Sequence, residues 1–74
     1  MNDNDKVILE GKVKECLRGT EFLIEIEING IKKDLIGYIS GRMRKAYIKV
    51  GYGDRVKIEL SKYDLNRGRI IKRL

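Results

Sequence analysis

The feature that most constrains this chain is an alternation over residues 21–28 that runs straight into a turn. Phe22, Ile24, Ile26 and Ile28 interleave with Glu21, Leu23, Glu25 and Glu27. A period of two sends successive side chains to opposite faces of a strand, so one row turns inward and a mostly acidic row stays in water. Asn29-Gly30 follows, a pair suited to the positive φ values of a tight hairpin, so residues 31–39 are expected to return antiparallel to 21–28. Upstream, Val7, Leu9, Gly11 and Val13 line one face of a first strand, with Gly11 expected at a sharp bend or bulge. Downstream, Gly51-Tyr52-Gly53-Asp54 turns into Val56-Lys57-Ile58-Glu59-Leu60, again alternating. Asp64-Leu65-Asn66-Arg67-Gly68 is read as the turn into a last strand near 69–73. The inward rows nominate Val13, Phe22, Ile24, Ile26, Val56 and Ile58 as core.

Between the third and fourth strands lies Ser40-Gly41-Arg42-Met43-Arg44-Lys45-Ala46. Ser40 is a good N-cap and Gly41 permits a tight entry, so a short helical turn is expected over 41–46, anchored by Met43, Ala46 and Tyr47. Five short strands with a helical element between strands three and four match an all-β, five-stranded antiparallel OB-fold barrel. An SH3-like barrel is the alternative, but its helical turn falls nearer the last strand. With 74 residues there is room for one domain, read as a flexible tail over 1–5 and a single OB-fold domain over 6–74. No segment repeats at a fixed period and none is of low complexity.

Several function classes drop out. No apolar run approaches the roughly 20 residues of a membrane helix. The acidic, polar start lacks the basic and apolar segments of a secretion signal, so the protein is expected to work where it is made. A lone Cys16 closes no internal disulfide, and with no histidine neither a zinc site nor a Cys/His nucleophile can be assembled. Glu25 and Glu27 superficially resemble a catalytic acid pair, but open solvent leaves both ionised. No enzyme, cofactor or metal is implied.

The charge is unevenly distributed. Residues 1–40 hold six Lys/Arg against eight Asp/Glu, whereas residues 41–74 hold eleven against three. Such a split is the footprint of a polyanion site in the second half. Arg42, Arg44 and Lys45 crowd one short helical segment, where the dipole at a helix start disfavours cations. Their value is therefore sought in phosphate binding: arginine forks onto phosphate and lysine acts as a point charge. Arg67, Arg69 and Arg73 extend the basic surface, with Arg69 and Arg73 expected on one side of the last strand. Tyr47 is a candidate for stacking on an unpaired base and equally for anchoring the helical turn, while Tyr63 is expected to pack. The acidic row of strand two shifts the contact surface away from the face that OB barrels ordinarily use.

These residues carry a family resemblance. Glu10-Gly11, the Phe22 strand, Ile39-Ser40-Gly41-Arg42-Met43-Arg44-Lys45 with Tyr47-Ile48, Gly53-Asp54-Arg55-Val56, and Tyr63-Asp64-Leu65 followed by Arg67-Gly68-Arg69-Ile70 run in order across nearly the whole chain. Together they resemble translation initiation factor 1 of bacteria and plastids. The resemblance implies an OB-fold factor, not an enzyme, that binds rRNA of the small ribosomal subunit at the decoding site and occupies the aminoacyl-tRNA position. It implies initiation factors 2 and 3 as companions, an adjacent ribosomal protein among the candidate contacts, a monomer with no membrane association, and a location in the bacterial cytoplasm or plastid stroma. The chain departs from the family at Leu17-Arg18-Gly19, where Leu-Pro-Asn is usual, and at Leu23, where an arginine usually follows the Phe. Arg18 is the candidate replacement cation. The hairpin around Ile28-Asn29-Gly30 is longer than the common bacterial form, Tyr38 stands where bacterial members commonly have His, and Gly37-Tyr38 is similar to plastid members. The competing reading is a general single-stranded RNA chaperone or antiterminator of cold-shock type. It needs several aromatics side by side on adjacent strands, and the inward Phe22 is not available for that.

Overall fold

The computed structural model describes residues 5–19, 21–46 and 49–74. Five strands, β1 (Lys6–Cys16), β2 (Glu21–Ile28), β3 (Ile31–Ile39), β4 (Arg55–Ser61) and β5 (Asp64–Arg73), close into a barrel in the order β1-β2-β3-β5-β4. One short helix, α1 (Gly41–Lys45), lies between β3 and β4. The tail expected over 1–5 falls mostly outside the described residues; of it, Asp5 offers its carbonyl to the Lys62 N–H at 2.9 Å.

The barrel is not antiparallel throughout. Four neighbouring pairs are antiparallel, but β3 and β5 run parallel, with Gly37 opposite Gly68 and Tyr38 opposite Arg69. The reason is parity: directions cannot alternate all the way around a closed ring of five strands, so one junction must be parallel. It falls at β3–β5, which are not joined by a hairpin.

Local chemistry explains the other joints. Asn29 and Gly30 have φ of 53° and 80°, the left-handed pair that a two-residue hairpin needs. Gly11 lies where β1 leaves β2 for β4, opposite both Ile26 and Val56. A Cβ there would stand 2.5 Å from Ile24 Cγ2 and 3.1 Å from the Glu25 carbonyl oxygen, so only glycine allows the strand to pass so close. The last strand begins earlier than expected. The turn is at Lys62-Tyr63, and β5 already starts at Asp64 because its residues 65–67 bulge away from β4 and Arg67 pairs with Ile36 of β3.

All six expected core residues are buried, joined by Leu35, Met43, Leu60 and Ile70. Ile28, at the end of the inward row, is instead 37% exposed, because β2 pairs with β1 only as far as Ile26.

Candidate nucleic-acid interface

Helix α1 is built from its cap upward. Ser40 is 7% exposed; its Oγ accepts the Met43 N–H at 3.2 Å while its own N–H donates to the Ile70 carbonyl of β5 at 3.1 Å. The cap thus starts the helix and fastens it to the barrel in one residue. Met43, 2% exposed, plugs into the core and leaves Arg42, Arg44 and Lys45 on the outside. Ala46 is exposed and does not act as a second anchor, since a single buried side chain per turn is all this helix offers the barrel. Tyr47 lies outside the described residues. The helix is five residues long, so its first and last turns coincide. The dipole that disfavours Arg42 favours Lys45, and the electrostatic penalty expected for three cations at a helix start largely cancels.

The arginines of β5 divide. Arg69 sits in a cross-strand row with Tyr38 of β3 on one side and Glu59 of β4 on the other, and Glu21 of β2 continues the row beyond Tyr38. Arg69 Nη2 donates to Glu59 Oε1 at 2.8 Å, and Lys6 Nζ lies 3.5 Å from the same oxygen. Arg67 Nη2 donates to Glu21 Oε2 at 2.6 Å. Arg73 does not share the face of Arg69. The register slips at Ile71, so Arg73 stands opposite Val56, in the inward phase at the barrel's end, and its Nη1 donates to the Lys49 carbonyl at 3.0 Å.

Two shallow depressions meet at the Arg69–Glu59 pair. Lys6, Tyr38, Ser61, Asp64 and Arg67 line one; Ser40, Gly41, Arg42 and Ile71 line the other. The structure therefore brings Arg42, Arg67 and Arg69 onto one surface. Arg18 is exposed in the loop before β2, where its carbonyl accepts the Glu21 N–H at 3.1 Å, beside the partner of Arg67. Lys6, Tyr38 and Glu59 are members that sequence reasoning missed. Tyr38 was findable, since Leu35 and Gly37 mark the inward phase of β3 and put Tyr38 outward. Lys6 and Glu59 carry no local signal, because their role depends on which strands become neighbours. Tyr63, expected to pack, is 82% exposed at the tip of the β4–β5 turn, its N–H bonded to Ser61 Oγ.

On the face formed by β1, β2 and β3, one lysine is shared between two acids. Lys14 bridges Asp34 at 3.2 Å and Glu25 at 3.7 Å, and the hydrogen bond and charge of Asp34 hold the Lys14 ammonium above its ordinary pKa. Of the acidic row of β2, Glu25 thus pairs with Lys14, whereas Glu21 pairs with Arg67 of β5.

No protein-family model matches the chain. Among solved structures, the chain is similar to translation initiation factor 1 from the Wolbachia endosymbiont strain TRS of Brugia malayi, with a TM-score of 0.73 and 35% sequence identity over 95% of this chain and 79% of that one. Identity at this level along nearly the whole length, on the same closed barrel with one helix between β3 and β4, is more than a shared architecture, and the chain belongs to the bacterial translation initiation factor 1 family.

Proposed function

We propose that this initiation factor binds the small ribosomal subunit at its decoding site through rRNA, holding the aminoacyl-tRNA position while initiation factors 2 and 3 act beside it. Arg42, Arg44 and Lys45 grip phosphates from α1; Arg67 and Arg69 add contacts along β5; Arg18, Arg73 and Tyr47 are the flanking contacts. The observation that carries this reading is the meeting of α1 and β5 at one groove, where Arg42 and Arg69 line the same depression. Two basic segments far apart in the chain thus share one surface, which suits the shape of a folded RNA better than a flexible single strand.

A cold-shock-type chaperone would require a platform of aromatics. Phe22 is buried, and Tyr52 and Tyr63 sit on turns rather than side by side on adjacent strands. Competition at near-physiological salt separates the two readings. Labelled small subunits holding the protein are challenged with unlabelled subunits, with excess unstructured RNA, and with an aminoacyl-site tRNA mimic. Unlabelled subunits and the tRNA mimic are expected to displace the protein and unstructured RNA to fail. Displacement by unstructured RNA as readily as by subunits, or indifference to the tRNA mimic, overturns the decoding-site reading.

A further inference from the structure

Four side chains form one outward row across neighbouring strands: Glu21 on β2, Tyr38 on β3, Arg69 on β5 and Glu59 on β4. Carboxylates bracket the row. Glu59 Oε1 lies 2.8 Å from Arg69 and 3.5 Å from Lys6, and Glu21 Oε2 meets Arg67 at 2.6 Å. Of the cations lining the two depressions, Lys6, Arg67 and Arg69 already hold an internal anion. Glu59 is the most central, since it lines both depressions and its side chain is only 20% exposed.

We infer that Glu59, seconded by Glu21, determines specificity by occupying the middle of the basic groove as an internal stand-in for phosphate, which any incoming polyanion must displace. This rests on reading the groove as the RNA-binding surface. A carboxylate on an arginine fork imitates a phosphate in charge and geometry, so exchanging one for the other gains little by itself. A flexible single strand offering phosphates one at a time trades like for like. A folded RNA that also meets Arg42 and its neighbours on α1 gains contacts that Glu59 does not contest. The internal pair is also an incomplete match for its arginine: Arg69 Nε is buried with no hydrogen-bond partner among the described residues. An unmet buried donor weakens the closed arrangement. The device therefore penalises weak, generic binding and yields to a polyanion that also makes contacts on α1, which is specificity obtained by blocking the wrong partner.

The test compares Glu59→Gln with Glu25→Gln. Both remove one negative charge, but Glu25 pairs with Lys14 on the β1–β3 face away from the groove. Each full-length variant is titrated against a labelled oligouridine and against small subunits at several salt concentrations. Glu59→Gln is expected to bind oligouridine about twofold to fivefold tighter than Glu25→Gln, in line with the modest worth of partly exposed ion pairs. Its log–log salt slope is expected to steepen by about one, as a freed cation takes a phosphate. Its preference for subunits over oligouridine is expected to fall. Equal oligouridine affinity and slope in the two variants would show an effect of net charge alone and overturn the inference. Weaker binding by Glu59→Gln would overturn it as well, by making Glu59 a support that holds Arg69 in place. Glu21→Gln gives the same comparison at Arg67, so the inference stays open to refutation if Glu59→Gln folds poorly. The decoding-site reading fails by a different measurement: a wild-type protein with no preference for subunits refutes it, and leaves the oligouridine comparison to decide the role of Glu59.

Discussion

Phe22 and Ile28 stand at opposite ends of the same inward row of β2, and only Phe22 is buried, at 6% exposure against 37%. Phe22 has a paired strand on each side, opposite Cys16 on β1 and Gly37 on β3; Ile28 faces only Ile31, at the hairpin tip beyond the reach of β1. Removing the ring should therefore open a cavity in the core. Phe22→Ala is expected to cost about 3–5 kcal/mol, a large part of the stability of so small a domain. Thermal or urea unfolding measures it, and a variant that melts within a few degrees of wild type would place Phe22 outside the core and the register of β2 off by one. The inward row was legible from residue spacing because a strand's faces follow directly from period two. The exposure of Ile28 was not, since it depends on where a different strand stops pairing.

At the scale of one element, α1 separates its structural duty from its functional one. Ser40 and Met43 hold the helix through the cap and the core, whereas Arg42, Arg44 and Lys45 point outward. Because the helix is a single turn, the dipole argument gives no net gain or loss for the three cations together. Changing all three to Ala is expected to leave the melting temperature within a few degrees of wild type and to abolish binding to the small subunit at near-physiological salt, read by co-sedimentation. A clear loss of stability with binding retained would mean that these cations serve the fold and that the RNA surface lies elsewhere. The basic segment was visible in the sequence as a dense run after a capping serine. Its attachment to β5, through the Ser40 N–H and the Ile70 carbonyl, was not, because that bond joins residues thirty apart along the chain.

For the whole molecule, the number of phosphate contacts, set against the internal ion pairs that must open to make them, sets the response to salt. Eight basic side chains are within or near the proposed surface if Lys6 joins Arg18, Arg42, Arg44, Lys45, Arg67, Arg69 and Arg73, yet Lys6, Arg67 and Arg69 start out paired with carboxylates. Each phosphate neutralised releases counterions from the RNA, but a cation taken from an internal carboxylate leaves that carboxylate to gather a counterion of its own, so the log–log slope of binding against salt is expected to have a magnitude of about 3–5, the value for four to six phosphate contacts, rather than one unit for every basic residue. Titration across a range of salt measures it, and a slope near zero would remove phosphate contacts as the source of affinity. The chain by itself determined its strands, its Asn29-Gly30 hairpin, its inward rows and its basic segment, since each of these is written in residues a few positions apart and follows from strand period, turn dihedrals and capping. The closed ring decided the rest. It made β3 and β5 parallel because an odd ring cannot alternate, turned Arg73 away from Arg69 through the slip at Ile71, and recruited Lys6, Tyr38 and Glu59 to the groove. These outcomes depend on register between strands distant in sequence, which no local pattern encodes and only the packed barrel fixes.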